Sequence, residues 1–152
     1  MGWTLRPSRA ADGAWIAELR AVVMRPDLER LDRYDSTWVR ERFLRAFVPD
    51  NTWVIVVDGQ DAGSVAVRDE SDAVWIEHFY LDPGVQGRGV GTAVLTRVLE
   101  QYGAGCAFRL NVLQGSAARR LYERHGFRLE NEDAVDVFMI REGAQLDASR
   151  FT

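Results

Sequence analysis

The chain has few of the residues on which disulfide scaffolds, metal centres and membrane spans depend. Its 152 residues include one cysteine, Cys106, so no intramolecular disulfide can form and no pair of thiols is available to a metal. Cys106 lies in a strand-like run, where a small core residue is a better interpretation than a nucleophile. The longest apolar run, residues 53–57, is far too short to cross a bilayer. We therefore expect no metal and no membrane partner.

Positive charge is not in excess, and this argues against one class of partner. The formal net charge is −4, with 47% of the residues apolar and 28% charged, which is ordinary for a soluble globular protein. Proteins that act mainly on nucleic acid carry clustered Lys and Arg, so we expect no nucleic-acid partner. Charged residues within the first dozen positions differ from a secretion signal, and we expect a cytoplasmic protein.

Strand and helix patterns alternate along the whole chain. Short apolar or alternating runs bounded by turn residues predict strands, and apolar residues spaced by three and four predict helices. The predicted order is β-α-α-β-β-β-α-β-α-β, an α/β (α+β) fold with a mixed, mostly antiparallel central sheet of six to seven strands and about four helices. No linker divides the pattern, so residues 1–142 are predicted to form a single domain and residues 143–152 a C-terminal tail.

The first helix is predicted to be short. It follows Asp12, a residue type that caps helices, and Pro26 lacks the backbone N–H that a helix interior uses. The charged segment from Met24 to Asp35 is therefore predicted to interrupt the helical pattern. A second helix is predicted to follow, with Ser36 as its cap.

Residues 86–91, Gln-Gly-Arg-Gly-Val-Gly, are the most informative stretch. They lie between an apolar run that ends at Leu81 and a helical pattern that begins near Val90. The glycines allow backbone N–H groups to turn towards a shared anion, and the start of a helix adds free N–H groups and the positive end of its dipole. Phosphate is the ligand that such a loop favours. A Rossmann loop would have its third glycine one position later, and a Walker loop would need a Gly-Lys-Ser/Thr triplet, which the chain lacks.

The loop resembles the Q-x-x-G-x-G cofactor motif of the GNAT N-acetyltransferase superfamily. Residues 118–127 resemble that superfamily's A-R-x-L-Y-E-x-x-G-F signature, and residues 81–85 resemble the strand exit before its loop. The order of elements agrees along nearly the whole chain, so the resemblance implies a GNAT-like acyl-CoA N-acyltransferase fold. One departure is Ser116-Ala117, which stands where many members have Asn-Pro.

The resemblance implies an enzyme that transfers an acetyl group from acetyl-CoA to a primary amine of a small molecule, peptide or protein. The backbone of residues 79–81 would hydrogen-bond the pantetheine arm, and the amides of residues 86–91 would hold the diphosphate. The implied cofactor-binding residues are Phe79, Tyr80, Leu81, Gln86, Gly87, Arg88, Gly89, Val90, Gly91, Thr92, Asn111, Ser116, Ala118, Arg119 and Tyr122.

Direct transfer requires that an ammonium group lose a proton and that the departing CoA thiolate gain one. The resemblance implies Tyr122 as the proton donor, and the alternative is a tyrosine that serves the core. We favour Glu77 over His78 as the base, acting directly or through a water. Adjacent strand residues face opposite sides, which predicts Glu77 on the face of Phe79 and Leu81 and leaves only one of the two bases in the cleft.

Three expectations remain open at the level of sequence. The segment before the second helix overhangs the acceptor site in the family, so Asp32 and Asp35 are candidates to attract a cationic amine. Free strand edges often pair, which makes a homodimer possible. The alternative function is a non-catalytic module that binds acyl-CoA without turning it over.

Overall fold

The computed structural model describes residues 2–103 and 105–143. Within them lie seven strands, four α-helices and three short 3-10 turns. The predicted tail, residues 143–152, lies outside the described residues except for Gly143. The strands are β1 (Trp3–Pro7), β2 (Thr52–Val57), β3 (Gln60–Asp69), β4 (Val74–Leu81), β5 (Phe108–Leu113), β6 (Arg128–Glu132) and β7 (Asp136–Arg141). The helices are α1 (Gly13–Arg30), α2 (Ser36–Ala46), α3 (Val90–Gln101) and α4 (Ala118–Arg124).

The strands form one sheet in the order β1-β2-β3-β4-β5-β7-β6. Every neighbouring pair is antiparallel except β4 and β5, which run parallel. These two strands pair only at Val74 with Phe108 and at Trp75 with Arg109. Beyond that point they separate, so the sheet opens as a wedge at its centre. The mixed, mostly antiparallel sheet expected from the sequence is confirmed, while the division into one domain stays a prediction.

Helices cover both faces of the sheet. α3 and α4 pack on one face, and the main core lies between them and the strands; its members include Ile55, Val65, Ile76, Val94, Leu95, Phe108, Tyr122, Val137 and Met139. α1 and α2 pack on the other face around Ile16, Phe43 and Val54, each with no exposed surface. The wedge therefore opens between two packed layers, which hold its walls apart.

The first helix is longer than predicted, because α1 continues through Pro26 to Arg30. An internal proline removes one helical hydrogen bond. Packing compensates for this loss on both sides of the proline, since Ala21 and Leu28 are each only 2% exposed and contact Val39 of α2. The predicted interruption at residues 24–35 is thus wrong over most of its length.

The cap of α2 is also different from the prediction. The side chain of Asp35, rather than that of Ser36, accepts hydrogen bonds from the amides of Thr37 and Trp38 at 3.0 and 2.8 Å. Asp35 can do this because its backbone is extended, which is the usual conformation of a capping residue. Its carboxylate is therefore committed to the helix and does not lie free.

A bulge interrupts β4 next to the wedge. Ser64 pairs with Tyr80 whereas Ala66 pairs with Glu77, so two residues of β4 stand opposite one residue of β3. His78 lies in the bulge with a φ of +48°, a conformation that residues other than glycine rarely adopt. The hydroxyl of Ser64 donates to the His78 carbonyl oxygen at 2.7 Å and so holds the bulge.

The bulge changes which side chains share a face. Phe79 and Leu81 pack against the main core together with Ile76, whereas His78 contacts Phe43 on the opposite face. The prediction that Glu77 shares a face with Phe79 and Leu81 is therefore wrong. The extra residue reverses the strand's alternation after Glu77.

Replacing Ser64 with alanine is expected to lower the free energy of unfolding by about 1–3 kcal/mol, because the hydroxyl is fully buried and its loss leaves the His78 carbonyl without this donor. Urea unfolding would measure the change. Ser71→Ala is the matched control, since Ser71 is exposed in the turn before β4, and its effect should stay within about 0.5 kcal/mol. Equal midpoints for both variants would contradict the role given to Ser64.

Candidate active site

The wedge between β4 and β5 forms a cleft of about 670 Å³. Its walls come from α1, from β4, from the loop before α3, from β5 and from the start of α4. A cleft of this size falls within the range of small-molecule and cofactor sites. The packed layers on the two faces of the sheet both border the cleft, so its walls belong to the hydrophobic core.

Most residues predicted from the sequence meet in this cleft. Those that line it are Glu77, Phe79, Tyr80, Leu81, Gln86, Gly87, Gly89, Gly91, Thr92, Asn111, Ser116, Ala118 and Tyr122. The fold brings these residues into one cavity from strands and helices that are far apart in sequence. Their roles stay predictions.

Three predicted residues are not part of the lining. Val90 is 2% exposed and packs in the main core, so its side chain cannot contact a ligand in the cleft. Arg119 pairs with Glu123 at 3.7 Å along α4. Arg88 lies in the loop, between two residues that do line the cleft.

The loop before α3 has the backbone conformation that its glycines permit. Gly87 and Gly89 have φ angles of +77° and +84°, which other residues adopt only at a cost. Gly89 is the N-terminal cap of α3, so the N–H groups of the following residues have no partner inside the helix. The side-chain amide of Gln86 donates to the Leu81 carbonyl oxygen at 2.8 Å and ties the loop to the end of β4. The first turn of α3 therefore has backbone donors that are not used within the helix, next to a loop that lines the cleft.

Tyr122 lies at the floor of the cleft. It is 6% exposed, and its ring packs edge-on against Phe127 with centroids 5.7 Å apart. Burial raises the pKa of the Tyr122 phenol well above its ordinary value, and Tyr80 adds to this in the same direction. The phenol is therefore protonated at neutral pH and can act as a donor.

Glu77 lines the cleft as one member of an ion pair. Its Oε1 accepts hydrogen bonds from Nη2 and Nε of Arg68 at 2.7 and 3.2 Å, and its side chain is 30% exposed. Both bonds go to the same oxygen, which leaves Oε2 for a proton or a water. Arg68 thus orients the Glu77 carboxylate through Oε1 alone.

His78 is the second candidate base, and the structure places it in a less polar setting. Its ring packs edge-on against Phe43 with centroids 5.0 Å apart, and Nδ1 lies 3.2 Å from the Tyr80 hydroxyl. Burial lowers the pKa of His78 from 6.5 to about 4, with Glu77 acting against this and nearby arginines acting with it. The imidazole is neutral at physiological pH. Both candidates line the cleft, so the expectation that only one would reach it is wrong, because the bulge reverses the alternation.

A buried arginine under the cleft was missed from the sequence. Arg20 of α1 is 5% exposed; its Nε donates to the Tyr80 hydroxyl at 3.0 Å, and its Nη1 donates to the Val39 carbonyl oxygen. It therefore joins both helices of this layer to β4. Burial raises the pKa of Tyr80, while the charge of Arg20 lowers it.

The acidic side chains at the α1 wall of the cleft differ from the prediction. Asp27 lines it, together with Val23 and Met24 of α1, whereas Asp32 and Asp35 do not. The signal that could have revealed this was helical spacing: once α1 runs through Pro26, positions 20, 23, 24 and 27 share one face.

Metal ligands and membrane spans are absent from the described ranges. Within residues 2–103 and 105–143, no three His, Cys, Asp or Glu side chains gather as a metal site. No helix in the same ranges has the length and apolar character needed to cross a bilayer. Cys106 is half buried and lies outside the cleft.

Comparison with known proteins decides the family. Residues 49–129, more than half of the chain, match the model of the acetyltransferase (GNAT) domain. The chain belongs to the GNAT acetyltransferase family. A mycothiol acetyltransferase of Beutenbergia cavernae is 33% identical over 138 residues, which is 82% of this chain and 43% of that relative. The GNAT chain thus spans less than half the length of this curated relative.

Solved N-acetyltransferases share the GNAT fold of this chain. PaiA N-acetyltransferase of Thermoplasma acidophilum, solved in complex with coenzyme A, has a TM-score of 0.75 at 18% identity and covers 93% of this chain and 99% of its own. The ribosomal-protein-S18-alanine N-acetyltransferase of Escherichia coli has a TM-score of 0.68 at 18% identity and covers 96% and 98%. The likeness to these two structures shows the fold. The family match confirms the GNAT acetyltransferase domain expected from the sequence.

His78 should make stability depend on pH between about 4 and 6.5. Its native pKa is lowered, so the unfolded chain binds a proton in this window that the native chain does not, and stability falls as the pH drops. The free energy of unfolding is expected to decrease by up to about 3 kcal/mol from this residue. Comparing urea unfolding of wild type and His78→Gln at pH 7.5 and 4.5 isolates the effect, and parallel pH slopes for the two proteins would contradict it.

Proposed function

We propose that the chain transfers an acetyl group from acetyl-CoA to a primary amine of a small molecule or peptide, by direct attack of the amine on the thioester. One observation carries the proposal. The wedge between β4 and β5 brings the loop of residues 86–91, the backbone of β4 and the Tyr122 phenol into one cavity. Family membership supports acetyl transfer, and the acceptor amine is inferred from the resemblance and the site chemistry.

Two parts of the cleft wall suit two parts of acetyl-CoA, the diphosphate and the pantetheine arm. Backbone N–H groups of the glycine loop and the start of α3 suit a diphosphate. Beyond Trp75, β4 has no pairing with β5, so its main-chain groups are available to an amide-containing arm that adds as a strand. Asn111, Ser116 and Ala118 line the opposite wall.

The chemistry requires two proton transfers and support for charge on the thioester oxygen. Glu77 accepts a proton from the incoming ammonium, directly or through a water, with its free oxygen. Tyr122 donates a proton to the departing sulfur. The bulge at His78 turns main-chain groups out of the β3–β4 ladder. Such donors stabilise the tetrahedral intermediate when they face its oxygen.

The acceptor end favours a cationic amine. The carboxylates of Asp27 and Glu77 both line the cleft, and carboxylates stabilise an ammonium group before it loses its proton. Apolar Val23 and Met24 lie beside Asp27, which suits a carbon skeleton attached to the amine. The possible homodimer and the cytoplasmic location stay predictions.

Incubation of the purified protein with acetyl-CoA and a panel of amines and peptides tests the function through release of free thiol. Thiol release that depends on an acceptor supports the proposal. Calorimetric binding of CoA without thiol release from any acceptor would instead support the non-catalytic module. No binding at all would overturn both.

Replacing Tyr122 with Phe is expected to lower kcat by about 100-fold or more, because general-acid catalysis supplies a factor of this order. Affinity for CoA should change little, since the ring remains. Tyr102→Phe is the matched control: this tyrosine packs edge-on against Phe108 and does not line the cleft. If Tyr122→Phe and Tyr102→Phe turn over equally, Tyr122 is not the proton donor.

The base is identified by the pH dependence of kcat/KM. Glu77→Gln is expected to lower kcat/KM and remove its acidic limb, because the neutral amide of glutamine cannot accept a proton as a carboxylate does. His78→Gln should keep the limb at the wild-type position, although its stability changes. Loss of the limb in His78→Gln alone would assign the base to His78, and an unchanged limb in both variants would exclude both residues.

A further inference from the structure

Arg20 of α1 is a buried charge that the proposed mechanism does not use. It is 5% exposed, and no Asp or Glu of the described residues forms an ion pair with it. Its partners are the Tyr80 hydroxyl, the Val39 carbonyl oxygen and the Trp38 ring, whose centroid lies 5.7 Å from Cζ. A buried guanidinium without a carboxylate partner lowers stability. Its charge and fixed donors are instead suited to orienting the hydroxyl of Tyr80.

The hydrogen bonds that join Arg20, Tyr80 and His78 run in one direction. A guanidinium can only donate, so the Tyr80 oxygen accepts from Nε of Arg20 at 3.0 Å. The phenol hydrogen is then directed to Nδ1 of His78, 3.2 Å away. If Nδ1 carried the proton instead, the phenol hydrogen would have no acceptor in the part of the chain that the structure describes. Since a hydroxyl without an acceptor lowers stability, Nδ1 is the acceptor, and the neutral imidazole carries its proton on Nε2.

The surroundings of His78 keep its imidazole neutral. Burial is the main cause of the lowered pKa of His78, and the charge of Glu77 opposes it. The cations that act in the same direction as burial are Arg20, Arg42 and Arg68. A hydrogen bond that Nδ1 accepts also favours the neutral form. Because Nδ1 is already bonded, Nε2 is the ring nitrogen that His78 can offer to a ligand of the cleft that it lines.

We infer that Arg20 is a positioning residue, which acts through the Tyr80 hydroxyl to fix His78 as a neutral Nε2–H donor for an oxygen atom of the acceptor molecule. The inference rests on the proposed function. It gives the two candidate bases different roles: Glu77 takes the proton from the ammonium group, and His78 holds the acceptor by a hydrogen bond. The acceptor that fits this site carries a hydroxyl or carbonyl oxygen in addition to its amine, because a buried donor discriminates against a ligand that leaves it unpaired.

Long-range 1H–15N NMR of the imidazole rings tests the tautomer without any turnover. His78 of the wild type is expected to show a protonated Nε2 and an unprotonated Nδ1. His125 is an internal control with the opposite tautomer, because its Nδ1 lies 2.8 Å from the Leu121 carbonyl oxygen and must carry the hydrogen. The chain has two histidines, so the spectrum of His78→Gln assigns both rings. A proton on Nδ1 of His78 would overturn the inference.

Two variants break the chain of hydrogen bonds at different points. Tyr80→Phe removes the hydroxyl, so the Nδ1 resonance of His78 should move to the value of an unbonded ring nitrogen. Arg20→Met leaves the hydroxyl but no longer holds it, so the same resonance should move part of the way. If Arg20→Met fails to fold, Arg20→Gln takes its place, since its amide can still donate to the Val39 carbonyl oxygen while the charge is lost. An Nδ1 resonance at the wild-type position in the arginine variant would refute the role of Arg20.

Tyr34→Phe is the matched control for the tyrosine variant. Tyr34 lies between α1 and α2 with an arginine over its ring, since Cζ of Arg25 is 4.6 Å from the ring centroid, and it does not line the cleft. Loss of its hydroxyl should leave the Nδ1 resonance of His78 in place. A shift as large as that of Tyr80→Phe would show that the resonance reports general loosening of this layer, which would also refute the inference.

Kinetics with two acceptors that differ at one atom test the donor role of Nε2. Ethanolamine and n-propylamine have the same length, with a hydroxyl in one and a methyl in the other. Wild type should prefer ethanolamine, and Tyr80→Phe and Arg20→Met should lower the ratio of the two kcat/KM values about tenfold, the loss typical of a hydrogen bond. Arg40→Met is the matched control, because Arg40 joins α2 to Glu18 of α1 outside the cleft, and the ratio should not change. Equal losses for both amines would indicate a structural role for Arg20 and contradict the inference.

The NMR measurements separate this inference from the proposed function. The expected resonances in a protein that acetylates no amine would support the hydrogen-bonded arrangement and reject the proposed function. Acetylation by a protein in which Nδ1 of His78 is protonated, or in which its resonance is the same in wild type and Arg20→Met, would reject the inference and leave the proposed function standing.

Discussion

The candidate site depends on the separation of β4 from β5 after only two paired residues. Within a sheet, backbone N–H and C=O groups normally pair with the neighbouring strand, and leaving them unpaired in a buried position is costly. Here the strands part towards the glycine loop, so the exposed groups of β4 face a cavity that a ligand can fill. The bulge at His78 follows soon after the last β4–β5 pair, at Trp75, and bulges increase the local twist of a strand. The parting of β4 and β5 thus both creates the cavity and leaves backbone groups of β4 free to bind a ligand in it.

The two helical layers keep this opening rigid. On one face the main core places Tyr122 at the floor of the cleft. On the other, Arg20 joins α1 and α2 to β4, and Arg30 donates to the Gln114 carbonyl oxygen at 2.6 Å. This second arginine connects the end of α1 to the loop after β5. Each wall is therefore fixed by contacts that do not involve the ligand.

The charges of the cleft side chains depend on their neighbours and burial more than on the net charge of the chain. Arg68 and Arg30 orient the carboxylates of Glu77 and Asp27, while burial keeps the Tyr122 phenol protonated. A net acidic chain can therefore carry backbone donors at one end of the cleft and carboxylates at the other. This division suits the proposed transfer from acetyl-CoA, an anionic donor, to a cationic amine.

The sequence by itself determined the order of elements, the glycine loop and the segment of residues 118–127, because each depends on local spacing of apolar, glycine and capping residues. Most of the candidate site followed from these motifs. The course of α1 through Pro26, the reversed faces after the bulge at His78 and the place of Asp27 were decided by tertiary structure. The physical reason is contact between segments that are distant in sequence. Packing of α1 against α2 outweighs the hydrogen bond that Pro26 removes. The register of β3 with β4 leaves one additional residue of β4 in a bulge, which no local sequence pattern indicates.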